Sequence, residues 1–223
     1  MSKARPPTTT STDGAEPGPA TSPAPDQPVL AADRWANNAA LIADCARLGY
    51  LRREWRVLDP TFGRGLWWTE FRPEDLVASD LATGVDFRCL PWPEAEFDAV
   101  AYDPPYVAPG GRRTTGLPDL FDRYGLVDAP ATPALLQEMI DAGLAECARV
   151  VRPGGLLLVK CQDYVSSGRL WPGTHHTLCA AFGIGLELVD RLEHIGGVRP
   201  QPPNRRQVHA RRNLSTLLVL RRR

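Results

Sequence analysis

Residues 101–111 read AYDPPYVAPGG. Four of them combine groups with complementary chemistry. Asp103 offers a carboxylate that accepts hydrogen bonds. Pro104 and Pro105 have φ fixed by their rings and present carbonyls without a competing N–H. Tyr106 adds a ring able to stack on a flat ligand. A carboxylate, a rigid carbonyl and a ring suit the capture of a planar group that carries N–H donors. A second stretch, VLDPTFGRG at 57–65, closes an apolar run with Asp59 and continues into Phe62, Gly63 and Gly65. Its glycines let the backbone turn tightly beside a ligand. There are two of them where the dinucleotide fingerprint has three.

Both stretches need a scaffold that holds them side by side, and the apolar pattern supplies one. The runs RVLD (56–59), LVAS (76–79), FDAVAYD (97–103) and GLLLVK (155–160) are too short for helices and rich in Val and Leu, as strands buried on both faces are. Between the last two, residues 133–151 carry Leu135, Met139, Ile140, Leu144, Cys147 and Val151 at helical spacing and end at RPGG. Asp33 to Tyr50 predicts a leading helix, with Trp35, Ala39, Leu41, Ile42, Cys45 and Leu48 as its apolar positions. A further helix over 174–182 leads to strands over 186–195 and, past an irregular basic loop, 215–222, which as consecutive strands at the C-terminus suggest an antiparallel pair at the sheet edge. Alternating strands and helices predict a doubly wound, mostly parallel α/β sheet, which binds ligands at the C-terminal ends of its strands. Asp59 and Asp103 sit at two such ends.

Composition narrows the classes. The chain has 223 residues and no formal net charge, which argues against a uniformly basic nucleic-acid coat. Charge is nevertheless uneven: from Arg191 to the C-terminus there are nine Arg and one acid, Glu193. Lys3 and Lys160 are the only lysines. The five cysteines never form a Cys-x-x-Cys pair, which points to a reduced, cytoplasmic setting without a disulfide framework or zinc ribbon. No apolar run approaches the roughly 20 residues that span a bilayer. Residues 1–28 have the Pro/Thr/Ser/Ala composition of a disordered tail, leaving 29–223 as a single catalytic domain. His175 and His176 have no further ligands to make a metal site, and Trp67 and Trp68 read as core packing.

Taken in order, VLDPTFGRG, SDL, VDFRCLPWPEAEFDAVAYDPPY and VVRPGGLLLVK resemble the motif series of S-adenosylmethionine-dependent amino-methyltransferases, which methylate exocyclic amines of DNA bases. The likeness covers roughly Val57 to Lys160. It implies a Rossmann-like class I methyltransferase sheet with an antiparallel C-terminal strand, and S-adenosyl-L-methionine as cofactor. By this resemblance Asp59, Phe62, Gly63 and Gly65 form the cofactor loop, and Asp80 faces the ribose or methionine end. Asp86 and Phe87 sit by the adenine ring, although Asp86 follows Asp80 by only six residues, where relatives place a helix. Asp103, Pro104, Pro105 and Tyr106 become the catalytic motif.

The residues suit that chemistry on their own terms. An aromatic exocyclic amine is a poor nucleophile because its lone pair is delocalised. Asp103 can accept one N–H and the Pro104 carbonyl the other, localising the pair and aiming it. Tyr106 can stack on a base turned out of the duplex. Asp at the head of the motif favours adenine N6. Cytosine N4, guanine N2 in RNA and a protein glutamine stay open as targets, as does a non-catalytic nucleic-acid-binding relic. DNA is the expected partner. Arg112 and Arg113 lie in the long segment 107–132, and Arg199, Arg205, Arg206, Arg211 and Arg212 lie in the basic segment 196–213, as candidate phosphate contacts. The chain leaves no room for a separate recognition domain, so sequence specificity is short, relaxed or supplied by a protein partner.

Overall fold

A computed structural model describes residues 35–106, 130, 132–196, 208–210 and 213–223. The tail expected over 1–28 lies outside them. The first helix, α1 (Asn38–Arg47), starts later than the apolar pattern predicts because Asn37 ends the run-in: its side chain accepts from the Ala40 N–H at 2.9 Å and caps the helix. The strands follow as β1 (Arg56–Asp59), β2 (Asp75–Ala78) and β3 (Phe97–Tyr102), then helix α2 (Pro133–Val150) and strand β4 (Val151–Cys161). A short hairpin, β5 (Tyr164–Ser166) and β6 (Arg169–Trp171), precedes helix α3 (Gly173–Gly183) and strands β7 (Leu186–Ile195) and β8 (Leu214–Arg222).

Six strands form one sheet in the order β2-β1-β3-β4-β8-β7. The pairs from β2 to β4 are parallel, and β8 runs antiparallel to both β4 and β7. This is the mostly parallel α/β architecture with an antiparallel C-terminal pair that the sequence predicts. The hairpin β5–β6 was not foreseen: its three-residue strands, joined through Ser167 at φ +49 and Gly168, are too short to show a period. Among the described residues no helix is long and apolar enough to cross a membrane.

Strand alternation divides the core between the two faces of the sheet. Leu58, Val100, Tyr102, Leu157 and Val159 point toward α2 and α3, where Leu136, Ile140, Leu144 and Cys147 cover them. Val57, Ala99, Ala101 and Leu158 point toward α1, where Leu41, Ile42 and Cys45 meet Trp67, Trp68 and Phe71. The β2–β3 connection contains a single short 3₁₀ turn, Leu81–Thr83, where a doubly wound fold usually has a helix. Side chains of α2 hold it instead. Arg149 donates to the carbonyls of Trp92 (2.9 Å) and Leu90 (3.0 Å), and Glu146 accepts from the Leu90 N–H at 2.9 Å. These groups satisfy backbone that would otherwise be buried unpaired.

The strand that carries Asp103 is itself fixed from below by α2. The Tyr102 hydroxyl donates to the Ile140 carbonyl at 3.2 Å, and the Phe87 ring meets Tyr102 edge-on at 5.5 Å. Both rings lie over Gly143, where an added Cβ would fall 2.6 Å from Phe87 and collide with the Tyr102 hydroxyl. Gly143→Ala should therefore overpack the core and cost about 1–3 kcal/mol in urea unfolding. Gly183→Ala, which meets nothing within 4 Å, should stay within about 0.5 kcal/mol of the wild type. Equal stabilities for the two variants would show that α2 does not clamp β3 in this way.

Candidate active site

The C-terminal ends of β1 and β3 deliver two carboxylates to the α1 face, Asp59 buried and Asp103 half-buried. Asp59 is 5% exposed, and one of its oxygens, Oδ1, accepts from the Thr61 N–H (2.9 Å) and the Thr61 hydroxyl (3.2 Å). The other, Oδ2, accepts from the Trp68 indole N–H at 2.7 Å. Thr61 also reaches across to β3, because its Oγ1 accepts the Asp103 N–H at 2.9 Å. One hydroxyl thus ties the glycine loop to the Asp103 motif. Burial pushes the Asp59 carboxyl up to about 6, against the pull of its three hydrogen-bond donors.

Asp103 has a different environment. Its Oδ1 and the Trp67 indole N–H are both buried and neither completes a hydrogen bond of good geometry, although the indole is near enough to act on the carboxyl as a weak donor. Burial raises the Asp103 carboxyl to about 7, with the Lys160 ammonium the strongest opposing influence and Asp59 adding to the rise. Pro104 and Pro105 are buried behind it. An acid held near neutrality and short of a donor is poised to accept one from a ligand.

The glycine loop closes the other side. Gly63 (φ +52) and Gly65 (φ +67) both adopt left-handed backbone. The Phe62 ring lies over Gly65, where a Cβ would sit 2.5 Å from its Cζ, while the same atom at Gly63 would meet only the Thr61 carbonyl at 3.9 Å. Asp80 begins the 3₁₀ turn after β2, accepting from Thr83 N–H (2.9 Å) through Oδ1 and from Gly63 N–H (3.1 Å) through Oδ2. That carboxylate holds the loop to the end of β2.

Between these groups lies a cavity of about 440 Å³ lined by Asn38, Asp59, Thr61, Phe62, Gly63, Arg64, Leu66, Trp67, Asp80, Ala82 and Asp103. This is the size of an ordinary small-molecule site. The structure brings together Asp59, Phe62, Gly63, Asp80 and Asp103 from the residues singled out in the sequence. It sets others apart. Phe87 is packed in the core against Tyr102, and the Asp86 carboxylate is taken by Arg88, whose Nη2 lies 2.6 Å away. Neither lines the cavity. Tyr106 faces the α2 and α3 side, where it lines a separate narrow cleft with Gln137, Trp171 and Thr177. Trp171 in turn stacks on His176 at 4.6 Å. Arg112, Arg113, Arg199, Arg205, Arg206, Arg211 and Arg212 lie outside the described residues.

Thr61, Trp67, Asn38 and Lys160 belong to the site and were not marked by the sequence. Trp67 and Trp68 do fill the core, but their N–H groups also face the carboxylates. Thr61 sits inside the glycine stretch and could have been read there as the hydroxyl of an Asp-x-Thr turn. Among the described residues no three His, Cys, Asp or Glu side chains gather as a metal site.

No family model and no curated protein matches the chain. Solved structures do. A candidate methyltransferase from Bacillus halodurans aligns with TM-score 0.51 at 14% identity, over 81% of this chain and 97% of its own. A candidate DNA modification methylase from Thermus thermophilus, complexed with S-adenosyl-L-methionine, gives TM-score 0.42 at 17% identity, over 75% of this chain and 55% of its own. TrmN from Thermus thermophilus gives 0.44 at 17% identity, over 84% and 50%. The chain therefore spans about half the length of the two Thermus thermophilus proteins. The fold is the Rossmann-like class I methyltransferase fold.

The hydrogen bond from Trp68 to Asp59 gives a pH-dependent expectation. It favours the charged form of a carboxyl whose folded pKa of about 6 lies above its ordinary value. Trp68→Phe removes that donor and raises the folded pKa further. The added loss of stability is then full where Asp59 is ionised, and fades as pH falls through the folded pKa. Thermal and urea unfolding should show a hydrogen-bond cost of about 1.5–3 kcal/mol at pH 8, most of it gone at pH 5. An equal cost at both pH values would mean that the indole contributes packing alone.

Proposed function

We propose that the protein is an S-adenosylmethionine-dependent methyltransferase acting on the exocyclic amino group of a DNA base, adenine N6 before others. The observation that carries this reading is the Asp103 carboxylate, which lines a cavity bounded by a glycine loop and has an Oδ1 with no full hydrogen bond from the protein. Fold alone does not give function, so the argument rests on these groups.

The residues fit the cofactor. Gly63 leaves its backbone open to close approach, Asp80 presents a carboxylate beside it, and Phe62, Leu66 and Trp67 give an apolar and aromatic wall. The Asp59 and Asp80 carboxylates in the lining suit a ligand carrying a cationic centre. S-adenosyl-L-methionine supplies an electrophilic methyl group on a sulfonium and leaves as a neutral thioether.

What the chain contributes is placement and proton handling. Asp103 accepts an amine N–H and draws the nitrogen lone pair out of conjugation, an interaction that strengthens as nitrogen becomes tetrahedral. A carboxyl near 7 is also matched to receive the proton that the nitrogen releases once it is methylated. Pro104 holds its carbonyl as the second acceptor. The base must be turned out of the duplex for its amine to be reached, and stacking on Tyr106 would require that ring to leave the separate cleft it lines on the α2 and α3 side. The arginines of the two basic segments bind phosphate.

Asp103→Ala should lower single-turnover methyl transfer to DNA at least roughly a hundredfold, the value of about 3 kcal/mol typical of one preorganised group. Its affinity for S-adenosylmethionine, measured by calorimetry, should stay near that of the wild type. Gly63→Val should do the reverse to binding, since its side chain would enter the cavity from a loop backbone already at positive φ. A near wild-type rate in Asp103→Ala contradicts the proposed mechanism. Unchanged cofactor affinity in folded Gly63→Val contradicts the placement of the cofactor.

A further inference from the structure

Lys160, one of two lysines in the chain, is 1% exposed. A buried ammonium is costly unless it is paired and hydrogen-bonded, so its surroundings need an account. On β4 the side chains alternate, with Leu157 and Val159 on the α2 face and Leu158 on the α1 face. Lys160 therefore points to the α1 side. On β3 the same alternation puts Ala101 on the α1 face and Tyr102 on the other, so Asp103 also points to the α1 side. Tyr102 pairs with Val159, and the next step of that parallel register sets Asp103 beside Lys160. Neighbouring strands lie about 4.8 Å apart, so the two charges occupy adjacent rows on one face.

The ammonium has a fixed partner. Nζ donates to Oδ1 of Asn38 at 3.0 Å. Asn38 is the first residue of α1, next to the Asn37 cap, and lines the cavity that Asp103 lines. The sequence WANNAA thus uses one asparagine to start the helix and the next to hold the lysine.

We propose that Lys160, oriented by Asn38, is the counter-charge that favours the anionic form of Asp103 in the wall of the cavity. This rests on the reading of Asp103 as the amine acceptor, and it makes Lys160 a positioning residue, not a catalytic one. Asp103 would otherwise sit beside Asp59 with only the exposed Arg64 in the same cavity lining, which does not act on its carboxyl, and a protonated carboxyl accepts an amine N–H poorly. The other charged or titratable groups around the pair do not supply that charge. Asp59 from β1 faces Asp103 and opposes its ionisation. Burial holds Lys160 below its ordinary value, and Asp103 is the main group favouring its ammonium, with Glu193 from β7 adding to it; the Cys45 and Cys161 thiols, pushed up to about 12 by burial, stay neutral. His194 from β7 is held below its ordinary value by burial and by Lys160, and its Nε2 lies 3.2 Å from the Trp35 carbonyl oxygen.

The test needs no substrate. The Asp103 carboxyl carbon is followed by ¹³C NMR across pH 4–10 in the full chain, its resonance identified by its loss in Asp103→Asn. Lys160→Met keeps the length of the side chain without the charge, and should move the midpoint upward by about one pH unit or more, the effect of removing an opposite charge within about 4–6 Å. Asn38→Ala leaves the lysine charged but unheld and should move it upward by less, and it carries the test if Lys160→Met does not fold. A midpoint that stays at the wild-type value in folded Lys160→Met, or in Asn38→Ala when that variant stands alone, overturns the proposal. In single-turnover methyl transfer to unmethylated DNA, the acid limb of the pH profile should move by the same amount. If the wild type transfers no methyl group to any substrate while the midpoint still moves, the charge pair stands and the proposed function fails.

Discussion

Parallel pairing of β1, β3 and β4 is the constraint on which the rest depends, because it fixes which side chains reach the same end of the same face. Asp59 ends β1, Asp103 follows β3, and Lys160 lies one step past the last residue paired with β3. A slip of one residue in any of these strands would send its charged group to the opposite face, into the apolar layer under α2. The apolar alternation that keeps Val100, Tyr102, Leu157 and Val159 facing α2 therefore also aims the charges toward α1.

Two carboxylates set side by side, one buried and one half-buried, are expensive, and the structure offsets the cost unequally. Asp59 receives three protein donors and is a structural anchor for the loop. Asp103 Oδ1 completes no full hydrogen bond and has only the weak approach of the Trp67 indole. Thr61 links the two by bonding the first and receiving the backbone of the second. The unsatisfied group is the one that the chemistry needs free, which is where a native protein is expected to break the rule that buried polar atoms are paired. The raised proton affinities of both acids follow from burial, and Lys160 limits the rise at Asp103.

Much of this could be read from residues alone, and the parts that could not have physical reasons. β1 and β7 match their apolar runs because those runs are bounded by turn residues. Asp59, Phe62, Gly63, Asp80 and Asp103, each marked in the sequence, line one cavity. Lys160 was invisible because a lysine at the end of an apolar strand looks like a solvated terminus until the neighbouring strand is placed. Asn38 was hidden inside a helix start, and the Trp67 indole inside a core assignment. Asp86 and Phe87 were named through the resemblance, in a connection too short to hold the usual helix. There Phe87 serves the packing of β3, and Arg88 binds Asp86.

The central claim is that this site methylates an exocyclic amine of a DNA base. Incubation of the full chain with methyl-labelled S-adenosylmethionine and unmethylated genomic DNA, with total RNA and protein in parallel, followed by digestion and mass spectrometry of the products, tests it most directly. The account predicts label in DNA, recovered as N6-methyladenine. Label confined to RNA or protein, or no label in any of the three while the cofactor binds, would contradict it.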